Sequence, residues 1–378
     1  MKIKFWQILF LSICIFSFQN KKETIIRFND STILNDAVRA IPHIINFQDT
    51  IPNDTLFEFV NLDNEPQYYS RKILTGVCIN GECRLVHINL FWTITGRYLG
   101  FKIPTGEFLS RTKHKPFFPE DYDRLHVLLA DPLSPLAHYS INELVPGDST
   151  KTKADAVSTA TIAAVLDYIV QGAVYTTYTL WHIVYGPTKR EIEKLTAEQL
   201  TTELTLKLLG SKHIDDQVWA LNHIPGKVKI DSILLKKLMK FISGDDVYLA
   251  ERSLNTLTPN ILAQDSIQQQ LATIYSQSGF LQQRLILEKL ENASVLQPSL
   301  LYQLAEQLSE TNGILVKLMM DLFMAKNVND KLVTEEVAKL LKNENRYIAK
   351  QALKYLENLD DIDKKTARNI EKFKKRNL

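Results

Sequence analysis

Two stretches of this chain set reactive side chains at spacings that imply chemistry. In Val77-Cys78-Ile79-Asn80-Gly81-Glu82-Cys83, Asn-Gly supplies the positive φ angles of a two-residue type I′ hairpin turn. Ile79 then faces Glu82 and Cys78 faces Cys83. The second pair out from such a turn is non-hydrogen-bonded, with Cα atoms close enough for a disulfide. The geometry predicts a cross-strand disulfide or a redox-active dithiol; the other reading is two buried free thiols on one strand face. A zinc site would need two more ligands, and no His pair has suitable spacing.

The second stretch is Asp155-Ala156-Val157-Ser158-Thr159-Ala160-Thr161, which follows the polar linker Gly147 to Lys153 and leads into a long apolar run ending near Tyr185. Hydroxyls at a helix start put a phosphate where free N–H groups and the helix dipole favour it. The same residues also make an ordinary Ser/Thr helix cap. Along the expected helix, Tyr168, Tyr175, Tyr178, Trp181 and Tyr185 fall on one face, which suits a core stripe or a wall for a flat cofactor. Asp167, Gln171, three threonines and His182 make this run a poor membrane span. His182 reads as a satisfied buried histidine. His87, His114, His126 and His138 are scattered, and no Ser/His/Asp, phosphate-loop or dinucleotide glycine pattern accompanies them.

The elements that must position these residues divide the chain in two. Phe57 to Val60, Lys72 to Val77, Arg84 to Trp92 and Tyr98 to Ile103 predict an antiparallel sheet, with Thr95-Gly96 as a turn. Pro119-Glu120-Asp121 opens a helix that runs through Leu129 and stops at Asp131-Pro132. From Arg190 onward the pattern is helical and self-similar. Helices open at Asp216, Asp246, Gly279, Asn312 and Asn345, with spacings of 30, 33, 33 and 33, each preceded by another amphipathic stretch. Two helices per repeat predict an α-solenoid. Asp, Asn and Gly at the junctions are caps and turn residues.

Two resemblances follow from these residues. Asp155, Ser158, Ala160 and Thr161 match Asp-x-x-Ser/Thr-Gly-Ala-Thr, and the segment resembles the FMN-binding domain of flavin subunits in the sodium-pumping quinone reductase, the Rnf complex and nitrous oxide regulatory membrane proteins. The resemblance implies FMN at this site, held covalently through a phosphoester on Thr161 made by a dedicated transferase. Thr159 stands where the family has glycine, and a β-branched residue is stiffer there. From 190 to 378 the chain resembles HEAT-like repeats.

The N-terminus reads Met1-Lys2-Ile3-Lys4, then an apolar run to Phe18, then Gln19-Asn20-Lys21-Lys22, the order of a secretory signal. Leu11-Ser12-Ile13-Cys14 hints at a lipoprotein anchor, although Ile13 fills a position that wants a small residue. Net charge is +2 from 45 basic and 43 acidic residues, which gives no global field for nucleic acid. The expected organisation is a signal peptide at 1–19, an α+β domain at 24–187 with packed helices on an antiparallel sheet, and a helical-repeat domain at 190–378. The expected function is an exported flavin carrier or redox scaffold whose repeats dock a protein redox partner. The alternative is an envelope interaction scaffold without flavin.

Overall fold

The computed structural model describes residues 24–30, 32–47, 49, 51, 54–77, 84–145 and 165–377. The chain forms an α+β unit, Met1–Glu198, and a helical unit, Gln199–Leu378. The division falls one helix later than the expected break at Gly186-Pro187.

The first unit is built on an antiparallel sheet of β1 (Ile26–Phe28), β2 (Arg39–Ile44), β3 (Thr55–Val60), β4 (Pro66–Thr75), β5 (Val86–Thr93) and β6 (Tyr98–Lys102), in the order β1-β6-β5-β4-β3-β2. Alternation along β3 and β5 sends Leu56, Glu58, Ile88, Leu90 and Trp92 to one buried face. Gly96, at φ 76°, makes the tight turn between β5 and β6, as Thr95-Gly96 predicts. The sequence pattern misses β1, which is only three residues long, and β2, which Pro42 interrupts. Proline is tolerated there because β2 is an edge strand.

On the other face Phe59 stacks on Tyr68 with centroids 4.4 Å apart, Tyr68 meets Phe91, and Phe91 meets Phe28 edge-on at 5.0 Å. Gly100 makes room for the last ring. A Cβ there would stand 2.5 Å from Phe28 Cδ1 and 2.2 Å from the Arg27 carbonyl.

The longer helices described in this unit are α1 (Pro119–Leu129), α2 (Val174–Val184) and α3 (Pro187–Glu198). The helix at Pro119 forms as expected, with Asp121 accepting from the Phe118 N–H at 2.7 Å. Arg27 on β1 pairs with Asp123 on α1. Trp92 donates its indole N–H to the Val184 carbonyl at the end of α2. Helix α3 docks through two threonines. Thr188 accepts from the fully buried Arg71, and Thr196 donates to the Ile94 carbonyl at 2.6 Å. Arg71 also forks onto Asp49, at 2.6 and 3.1 Å, and lies 3.7 Å over the Phe47 ring.

The helical unit runs α4 (Thr202–Leu209), α5 (Ile214–His223), α6 (Ser232–Ile242), α7 (Val247–Thr256), α8 (Asp265–Gln277), α9 (Phe280–Leu290), α10 (Pro298–Glu306), α11 (Gly313–Ala325), α12 (Lys331–Lys339), α13 (Arg346–Glu357) and α14 (Lys364–Asn377). Neighbours in sequence pair, as in α4 with α5, α6 with α7, α8 with α9 and α12 with α13. Helices also meet the one two places on: α5, α7, α9, α11 and α13 form one such row, and α8, α10, α12 and α14 another. Asp246, Asn312 and Asn345 sit at N-caps and accept from N–H groups two or three residues on. Between pairs, polar side chains occupy backbone groups that the helix ends leave open. Gln268 is fully buried, donates to the Leu262 and Val295 carbonyls and accepts from the Gln297 N–H. Tyr355 donates to the Val328 carbonyl at 2.8 Å, and Lys326 to that of Ala293 at 2.7 Å.

Removing Asp49 would leave the Arg71 charge buried without its carboxylate. Asp49→Ala is expected to destabilise the protein by about 3 kcal/mol, more than a surface charge deletion. Chemical denaturation of the two purified proteins measures it, and a change below about 1 kcal/mol would show that Arg71 does not depend on this pair.

Candidate functional site

The residues expected to carry the flavin, Asp155, Ser158, Thr159, Ala160 and Thr161, lie outside the described residues, as do Cys78 and Cys83. The described segments that flank them bear on both expectations. Strands β4 and β5 pair in one unbroken register from Tyr68 with Thr93 to Thr75 with Val86. That ladder ends three residues before Cys78 on one strand and three after Cys83 on the other.

The apolar helix expected to run unbroken to Tyr185 is corrected. Residues 167–173 are turns and bends, and α2 begins only at Val174. Gly172 turns the chain at φ 72°, and a Cβ there would stand 3.3 Å from Thr112 Oγ1. The helix-start argument for a phosphate at Thr161 therefore gains nothing from α2. No helix among the described residues is long and apolar enough to cross a membrane.

The break also divides the aromatic stripe. Tyr168 is exposed in the turn, whereas Tyr175, Tyr178, Trp181 and Tyr185 follow the helix. Two of these have structural duties at the end of α1. Trp181 donates its indole N–H to the Asp131 carbonyl at 2.9 Å, and Tyr185 its hydroxyl to the Leu129 carbonyl at 2.9 Å. These acceptors are carbonyls that a helix end leaves without intrahelical partners. His182 stacks on Tyr178 at 4.1 Å, with its Nδ1 3.0 Å from the Tyr178 carbonyl. Burial lowers its pKa, so it is held neutral.

Inside the α+β unit lies a polar network that periodicity alone does not reveal. Glu58 is buried, contacts His43 Nε2 at 2.7 Å and accepts from the Tyr69 hydroxyl at 3.3 Å. Thr196 of α3 lies 3.4 Å from that hydroxyl. Burial, with Glu58 beside it, pushes the Tyr69 hydroxyl above its ordinary range, so it acts as a hydrogen-bond donor. The network links β2, β3 and β4 through Tyr69 to Thr196 of α3. Among the described residues, no group of three or more His, Cys, Asp or Glu is placed to hold a metal ion.

The helical unit supplies an open groove of about 930 Å³ across α4, α6 and α8. Lys236, Lys237 and Lys240 of α6 line one side, Gln269, Gln270 and Thr273 of α8 the other, with Leu206, Met239 and Ile274 among them. Asp231 caps α6 by accepting from the Leu234 N–H at 2.8 Å, which fixes where its lysines point. Lys237 lies 5.0 Å over the Phe241 ring. An apolar strip edged by ammonium groups and amides suits an amphipathic protein segment with acidic side chains. The sequence carries the signal, Lys236-Lys237 and Lys240 beside Leu234-Leu235. Helical periodicity cannot tell that α8 would stand opposite.

A further histidine, His126 on α1, has its Nδ1 3.1 Å from the hydroxyl of the buried Tyr98. Burial lowers its pKa from the usual 6.5, Arg27 lowers it further, and Asp123 opposes them. The folded protein thus binds this proton less readily than the unfolded chain. The stability it contributes is complete above the unfolded value and is lost as pH falls from there through the lower folded value. His126→Gln is expected to flatten the fall in melting temperature between about pH 7.5 and pH 5. An unchanged slope would show that His126 does not set it. Compared with models of known protein families, with curated protein sequences and with solved structures, the chain finds no match in any of the three.

Proposed function

We propose that this is an exported envelope scaffold whose helical half, a HEAT-like solenoid, binds a protein partner through the groove on α4, α6 and α8. The observation that carries the reading is that groove: an apolar strip between three lysines and a row of uncharged polar side chains, with no acidic residue in its lining. The two-row meeting of helices and the 33-residue recurrence of Asn- and Gly-led helices support the solenoid. Export rests on the basic and apolar order of residues 1–22. The partner segment is amphipathic and acidic, by complementarity to the lysines.

A photo-reactive amino acid placed at Ile233 or Gln270 in the full chain tests this in envelope-derived cells. The expected result is one discrete protein adduct from each position, reduced roughly tenfold by Lys236→Glu with Lys240→Glu, since reversed charges remove steering and contact together. Adducts that persist in the double variant, or that form only from positions outside the groove, would overturn the assignment.

A second reading is favoured by the match of Asp155, Ser158, Ala160 and Thr161 to the flavin-attachment motif. In this reading the scaffold carries FMN on Thr161 and exchanges electrons with the Cys78/Cys83 pair, and the docked protein is its redox partner. The β4/β5 register supports the cysteine half. Continued outward without a slip, it would set Cys78 opposite Cys83 with Asn80-Gly81 as the turn. The flavin supplies redox chemistry when bound, and the hydroxyls of Ser158 and Thr161 would hold its phosphate. Intact-mass measurement from a host containing the flavin transferase checks it. The expected mass exceeds the mature chain by one FMN less water, and Thr161→Ala should remove the increment. An unmodified mass in the parent protein excludes covalent flavin.

A further inference from the structure

A second cleft, of about 430 Å³, lies between the turn that follows α12, the start of α13 and α14. Its lining includes Lys342, Arg346, Lys372 and Arg376, and no acidic side chain. We propose that this cleft is a binding site for a phosphate-bearing anion.

The argument begins with how the sequence aims these four cations. On α14, Asn369, Lys372, Phe373 and Arg376 recur at helical spacing and line the cleft together. Lys374, which points elsewhere on the same helix, pairs with Glu357 at 2.6 Å. Lys354 of α13 likewise has Asp321 at 3.7 Å. Among the described residues, no carboxylate pairs with Lys342, Arg346, Lys372 or Arg376. Lys374 and Lys354 are turned to carboxylates on neighbouring helices, whereas the four cations that line this cavity have no carboxylate across it.

Four like charges around so small a space repel at distances comparable with the screening length of about 8 Å, and an anion between them relieves that repulsion. Helix α13 begins at Arg346, so the positive end of its dipole adds to the field. Two guanidinium forks offer paired donors to a planar or tetrahedral oxyanion, and two ammonium groups add point charges. A multiply charged phosphate matches four cations better than a single carboxylate does. The cleft volume is of small-ligand size, too small for a helix of a partner protein. A soluble phosphorylated compound and the headgroup of an anionic lipid present the same chemistry here.

Two probes separate these sources with the full chain. Calorimetry with inorganic pyrophosphate reads the soluble arm. Flotation with phosphatidylcholine vesicles, with and without an equal part of phosphatidylglycerol, reads the lipid arm. Binding in either arm is expected to weaken roughly tenfold or more in Arg346→Gln with Arg376→Gln, since each removes a charged hydrogen-bond donor. Lys374→Gln removes a charge from the same helix outside the cleft and should leave binding within about twofold. All substituted residues are at the surface, and an unchanged melting temperature checks that the variants are folded. Pyrophosphate binding alone identifies a soluble ligand, and vesicle binding alone a lipid headgroup; either supports the site. No binding of either probe, or equal losses in the cleft variant and Lys374→Gln, overturns it.

Discussion

The α+β unit depends on a buried guanidinium. Arg71 lies in the middle of β4 with no exposure to solvent, and burying such a charge is tolerable only if its donors are occupied. Asp49 supplies the carboxylate, Thr188 the further acceptor, and Phe47 a ring face beneath the charge. These partners come from the connection after β2 and from the first turn of α3. Satisfying one side chain therefore fixes three parts of the chain. Non-polar packing alone would let α3 slide along the sheet. A fork that must reach a hydroxyl and a carboxylate at once does not allow it. Thr196, one helical stretch later, bonds Ile94 and fixes the helix at its other end.

The helical unit meets the same constraint in another form. Each helix ends with carbonyls that have no partner of their own, and stacking pairs closely would bury them unsatisfied. Gln268, Lys326 and Tyr355 add side chains that reach carbonyls in the loops following neighbouring helices. The N-terminal ends are closed locally by Asp246, Asn312, Asp330 and Asn345. Local caps set where each helix begins, and long-range polar clamps set how pairs meet.

The parts of this fold that were legible in the sequence are those governed by local physics. Strand alternation from Leu56 to Val60 and from Val86 to Trp92, the Pro119 helix start and the recurring Asp and Asn caps each follow from neighbouring residues. Strand β2 was hidden because its pattern carries Pro42 and gains its pairing only from β3. The break at 167–173 was hidden because its apolar run looks continuous, while Gly172 adopts a positive φ and Thr177 bonds the Val170 N–H across the turn. The α+β unit runs on past Gly186-Pro187 for a related reason. A Gly-Pro step reads as a stop, yet α3 begins at that proline, and Thr188, the very next residue, is claimed by Arg71, far away in sequence. Of the candidate sites, the lysines of α6 and the basic run of α14 were visible as charges. The helices that stand opposite them were not.

That difference explains how a chain of nearly balanced charge can still carry concentrated fields. A net charge of +2 speaks only of the far field, where opposite charges cancel over a screening length. Within a helix, position decides which charges meet. At α14 the periodicity delivers Lys374 to Glu357 while turning Lys372 and Arg376 to the side where Lys342 and Arg346 arrive from the preceding turn and helix. At α6 it turns Lys236, Lys237 and Lys240 to a groove whose opposite wall, on α8, is built of glutamines and threonine rather than acids. Composition excludes a protein that attracts polyanions over its whole surface. It leaves room for two local basic concavities of different size, an open groove and a smaller cleft.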